Sequence, residues 1–150
     1  ALVDPSASSG ASAAGAPAAS LVDAPPPPVT ANRRAFTVLV RNAMFQRVEH
    51  IHNRQWQELE VLDGDDGWSA ERWFEAMAPY FEEHGNIRLD PPARSPQYTR
   101  FVSKDDDCWR IQQIICDPQE ANDWMVACKV DLTASRSAGR PVFELETIST

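Results

Sequence analysis

Five arginines fall in one stretch of the chain and could hold phosphate: Arg33, Arg34, Arg41, Arg47 and Arg54. Only Glu49 opposes them between residues 33 and 56, in a chain whose net charge is −8. Guanidinium groups meet phosphate oxygens with paired donors, but such contacts position a nucleic acid without reading its sequence. The plainer reading is a helix with long solvated side chains.

Other residues offer less. His50 and His52 stand two apart, about 200° around a helix, so one metal ion cannot take both. His84, beside Glu82 and Glu83, ends a helix, where an imidazolium favours the negative dipole end. Asp63-Gly64-Asp65-Asp66-Gly67 resembles half a calcium loop, but Glu71 comes too early to close it. Cys108, Cys116 and Cys128 lack paired spacing and read as buried free thiols, which suit a reducing cytoplasm. Asp131, Glu144 and Glu146 alternate with apolar neighbours and belong on the wet face of strands. No Ser-His-Asp or Cys-His set stands out, and neither metal nor cofactor is expected.

Something must position these groups, and composition bounds what it is. The chain has 150 residues, 43% hydrophobic and 24% charged, which fits one domain. Its acidity argues against non-specific nucleic-acid binding by the whole surface. No apolar run approaches the roughly 18 residues of a membrane span. Residues 1–32 are Ala, Ser and Pro with few bulky apolar groups, including Pro25-Pro26-Pro27-Pro28. Such a segment is expected to be a disordered tether carrying a short polyproline rod. Residues 33–150 are expected to form a single α+β domain.

The periodicity predicts one long helix over 33–62, capped by Thr30 or Asn32, with Val40, Met44, Val48 and Ile51 on its apolar side. Arg47 and Arg54 fall at the edge of that arc and can snorkel. Arg41 falls inside it and is expected to find a partner carboxylate. A second helix over 70–84 starts at Ser69, with Trp68 stapled onto Trp73. Trp73, Phe74, Met77 and Phe81 make its buried stripe, Pro79 should kink or divide it, and Gly85 ends it. Residues 86–97 form a Pro-rich loop. Beyond them the period becomes two, giving strands over 98–103, 109–116, 124–133 and 143–147, joined as an antiparallel meander. Two helices on a curved sheet of about four antiparallel strands are similar in order to the cones of the nuclear-transport-factor-two-like group.

Three sets of strings carry a second likeness. They are Leu39–Phe45 with Arg47-Val48-Glu49; Gly67-Trp68, Arg72-Trp73, Pro79-Tyr80 and Glu83-His84; and Trp109, Gln113, Asp117-Pro118, Asp123-Trp124 and Val130-Asp131-Leu132 with Ser135 and Gly139. Together they resemble the uncharacterised C-terminal domain of large actinobacterial DEAD/DEAH-box helicases. That resemblance implies an ATP-driven parent, a cytoplasmic setting, the motor core of the same chain as partner, and RNA or DNA nearby. None of the motor motifs occurs here: there is no G-x-x-x-x-G-K-[ST]. The expectation is a non-catalytic accessory domain whose helix arginines contact phosphate or a partner, with no membrane contact. The alternative is a small-molecule-binding or isomerase-like cone, possibly secreted, which needs an enclosed pocket above ~300 Å³.

Overall fold

The computed structural model describes residues 27–150. The expected tether lies outside the described residues up to position 26. Of its remainder, Val29 packs against the core, and Thr30 Oγ1 accepts a bond from Arg136 Nε at 3.1 Å.

Helix α1 spans Arg33–His52 and starts as expected, with Asn32 Oδ1 accepting from the Ala35 N–H at 3.0 Å. Phe36, Val40, Met44, Arg47, Val48 and Ile51 are its buried residues, at the three- and four-residue spacing of one face. The helix does not run on to 62. Arg54 takes a left-handed backbone, φ 55°, and a separate helix α2 spans Trp56–Asp63. Arg54 is held there by His52 O, to which it donates at 2.6 Å, and by the Phe81 ring, 3.7 Å beneath its guanidinium. The break has a large consequence. In one continuous helix Arg47 and Asp63 would stand about 24 Å apart. Here they form a buried ion pair.

Helix α3 spans Ala70–His84. Ser69 caps it, the Trp68 and Trp73 rings stand 5.2 Å apart, and Gly85 ends it at φ 77°. Two details differ from expectation. The helix is not divided at Pro79, although that residue has no N–H for the Glu75 carbonyl. Phe74 is 56% exposed; the buried stripe is Trp73, Met77 and Tyr80.

Strands β1 (Thr99–Lys104), β2 (Cys108–Ile115), β3 (Trp124–Asp131) and β4 (Phe143–Ser149) form an antiparallel sheet in sequence order. In β3 the buried Trp124, Val126, Cys128 and Val130 alternate with more exposed neighbours, as predicted. After Asp131 the chain turns instead into helix α4, Leu132–Ala138. Asp131 caps it through Ala134 N–H at 2.9 Å, and the buried Ser135 hydroxyl donates to Asp131 O and accepts from Val142 N–H. Alternation in Asp131–Thr133 imitates a strand, which hides this helix from a period-two reading. The architecture is α+β, as expected. Phe36, Val40, Met44, Trp73, Trp109, Ile111, Val126 and Cys128 fill one core shared by the helices and the sheet. Among the described residues, no helix is long and apolar enough to cross a membrane.

Candidate functional site

The five arginines have separate fates. Arg47 is buried, where it donates Nε to Asp63 Oδ2 at 2.9 Å and Nη2 to Asp63 Oδ1 at 2.7 Å. Its guanidinium also lies 4.4 Å from the centre of the Phe143 ring. The ion pair expected of Arg41 thus belongs to Arg47, because the break at Arg54 swings Asp63 beneath it. Arg54 is committed to the Phe81 ring. Arg33 stands 5.8 Å from the Trp109 ring, near Lys104, whose ammonium lies 4.8 Å from the same ring. Arg34 is exposed.

Arg41 is half-buried and has no carboxylate partner among the described residues. It lines a surface depression of about 230 Å³ together with Asn42, Arg94, Ser95, Thr99 and Gln113. Arg94, absent from the sequence reading, reaches this place from a 3₁₀ turn over Pro91–Arg94. It donates to Leu89 O at 2.8 Å and stands 3.5 Å from Glu49, on a half-exposed pair. No carboxylate lines the depression.

A second cluster forms where the end of α3 meets the β2–β3 connection. Asp117 is fully buried; its two carboxylate oxygens accept from Ala121 N–H at 3.1 Å and Asn122 N–H at 2.7 Å. Burial works against its charge, but those two backbone donors and His84 hold its carboxyl below the usual range. His84 Nδ1 lies 2.7 Å from Gln119 Oε1 and 3.4 Å from Asp117 Oδ2. Its Nε2 faces Glu83 at 3.7 Å and Asp123 at 3.8 Å. Burial disfavours the imidazolium, but the Gln119 bond and the three carboxylates outweigh it and raise the pKa. Tyr80 stacks on the ring at 5.1 Å and donates its hydroxyl to Asn86 O.

The position of His84 at a helix end was legible in the sequence; its company was not. Asp117 and Asp123 are six apart in a loop between two strands, and only that loop's closure brings both to the histidine. His50 and His52 bind separate partners, Gln55 and Ile87 O. Cys108 is half-buried, Cys116 and Cys128 are buried, and all three are free thiols.

A family model for a domain of unknown function, DUF3516, matches residues 1–148. The chain belongs to that family. No curated protein and no solved structure matches it. Several strings that carried the helicase resemblance have clear structural places in this DUF3516 domain. Gly67-Trp68 lead into α3 and Arg72-Trp73 lie in its first turn, where Arg72 covers the Trp68 ring at 3.9 Å. Asp117-Pro118 and Asp123-Trp124 enclose the His84 cluster, and Trp124 Nε1 donates to Glu83 at 3.0 Å.

Proposed function

We propose that this domain is a non-catalytic accessory domain of an ATP-dependent DEAD/DEAH-box helicase, working in the cytoplasm and contacting nucleic-acid phosphates through the depression between α1 and β1. The helicase setting rests on the resemblance of the strings described above. The contact surface rests on one observation: Arg41 has no carboxylate partner among the described residues and shares a carboxylate-free depression with Arg94.

Two guanidinium groups beside the Ser95 hydroxyl suit a phosphate oxygen, which accepts strongly from both kinds of donor; the buried Thr99 hydroxyl is already donated to Gln113 Oε1 at 2.6 Å. Arg33 and Lys104 extend positive charge toward the start of α1. The exposed Asp105, Asp106 and Asp107 repel phosphate just beyond Lys104, which confines the footprint. Arg47 drops out of the original set because it is buried in its ion pair, and Arg54 because its guanidinium covers the Phe81 ring; Arg94 would exchange its half-exposed contact with Glu49 for phosphate.

A different face favours the motor core as a further contact. The exposed Phe74 joins Ala78 and the half-buried Trp56 and Phe81 in a largely apolar groove of about 330 Å³ flanked by Arg54 and Glu82, and Val61 on the same helix pair is 80% exposed. Exposed aromatic groups of this kind suit a protein surface more than a charged backbone.

The test is a fluorescence-anisotropy titration of the chain with short single-stranded RNA and DNA at low and physiological salt. Binding should weaken as salt rises, and Arg41→Gln with Arg94→Gln should lower the salt slope by about two, one for each phosphate contact. Equal binding by the double variant, or none by the wild type at low salt, removes phosphate as the ligand. The coding sequence upstream of Ala1 tests the parentage: an open frame without motor motifs would count against a helicase.

A further inference from the structure

The His84 side chain is only 5% exposed and has acceptors at both ring nitrogens. Nδ1 faces Gln119 Oε1 at 2.7 Å and Asp117 Oδ2 at 3.4 Å. Nε2 faces Glu83 Oε2 at 3.7 Å and Asp123 Oδ1 at 3.8 Å. Neither neutral tautomer suits that arrangement. With the hydrogen on Nδ1, the Nε2 lone pair stands against two carboxylates. With the hydrogen on Nε2, the Nδ1 lone pair meets the fully buried Asp117 carboxylate, and turning the Gln119 amide over leaves that repulsion in place. Only the imidazolium has a donor for each side. Nε2 makes no hydrogen bond at its distances, so the attraction there is that of charge. The partners come from two elements: Glu83 from α3, and Asp117, Gln119 and Asp123 from the β2–β3 connection.

We propose that protonated His84 is a pH-sensitive clasp, which holds the β2–β3 connection to the last turn of α3 and loosens it when the proton leaves. The charges that face the ring, on Glu83, Asp117 and Asp123, all favour the closed form. Two arginines on flanking residues are already committed. Arg54, which reaches Gly85 O at 3.4 Å, covers Phe81, and Arg88, whose N–H donates to Cys116 O, pairs with Asp90 at 2.8 Å. The Tyr80 phenol, whose ring stacks on His84, and the Cys116 thiol are both pushed up by burial, so they stay neutral where a histidine titrates. The folded ring holds its proton above the ordinary 6.5, because the Gln119 bond and the three carboxylates outweigh burial. The clasp is therefore fully closed below pH 6.5 and is lost as pH rises through the folded value. This inference is independent of the nucleic-acid reading, since the two sites share no residue.

The test is an NMR titration of the whole isotope-labelled chain between about pH 6 and about pH 9, with amide exchange measured at both ends. The His84 ring should titrate above 6.5, and the Ala121 and Asn122 N–H groups, which bind Asp117, should move with the same midpoint. So should the Trp124 indole N–H, which donates to Glu83. Protection of the Ala121 and Asn122 amides, corrected for intrinsic exchange, should fall toward the alkaline end by about tenfold for each unit that separates the ring from 6.5. Asp123→Asn removes one facing charge and should bring the His84 midpoint down, while His84→Gln should abolish the titration of the connection. Circular dichroism reports whether each variant folds. If His84→Gln does not fold, the half-exposed Asp123→Asn decides the matter. A ring that titrates at or below 6.5, a connection that does not follow it, or a midpoint unchanged in Asp123→Asn each overturns the proposal.

Discussion

The Arg47–Asp63 pair supports a quantitative prediction. The side chains of the two residues are 4% and 0% exposed, and both Asp63 oxygens accept from the guanidinium. Asp63→Asn leaves a buried arginine with no counter-charge. Breaking a buried pair from one side costs about 3–5 kcal/mol, against a total domain stability of about 5–15 kcal/mol. With a urea dependence of about 1.5 kcal/mol per molar, the unfolding midpoint should fall by about 2–3 M. The assay is equilibrium urea unfolding followed by tryptophan fluorescence, which Trp68, Trp73 and Trp109 in the core make sensitive. Replacing both partners with apolar groups, Arg47→Met with Asp63→Leu, should recover most of that loss, because desolvation of the pair disappears with its attraction. A loss below about 1 kcal/mol in Asp63→Asn, the range of an exposed pair, would refute the reasoning. So would a double variant no better than the single one. The result also matters for binding work: neutralising all five arginines together would include Arg47 and carry the same destabilisation, which can imitate a lost phosphate contact.

Neighbouring aromatic positions on α3 should separate sharply in the same assay. Trp73→Ala should cost about 3–5 kcal/mol, whereas Phe74→Ala, at a side chain 56% exposed, should cost far less. Gly85→Ala should cost about 1–2 kcal/mol from backbone strain alone, since a Cβ there meets nothing within 4 Å. Thiol labelling of the folded chain should find Cys108 first. Cys128 should stay unreactive well into alkaline pH, because burial pushes its thiol up to about 12. Labelling of Cys128 at the rate of Cys108 under native conditions would contradict that burial.

Much of the architecture follows from local pattern. Asn32 and Ser69 cap helices because their side chains can accept the orphan N–H groups of a first turn, a property any sequence displays. Val126, Cys128 and Val130 alternate with Ala127 and Lys129, so a half-buried strand needs no tertiary information. The helix arginines were equally visible as a charged group, and composition alone excluded a membrane-spanning run.

Local pattern misled where two structures share one period or where a distant group pays for a local cost. Residues 53–55 carry no glycine or proline, and the break there depends on Phe81, far along the chain, supporting a left-handed Arg54. Asp131–Thr133 alternates like a strand, yet Val142 N–H completes the Ser135 bonds that favour a helix. The sequence by itself therefore determined which segments are apolar, where most helices start, and that the sheet is antiparallel. Only the tertiary structure decided which charges meet. Arg47 rather than Arg41 became the buried cation, and His84 gathered Asp117 and Asp123 around it. Charge–charge energy falls with distance through space, not along the chain, so no spacing rule could have assigned those partners.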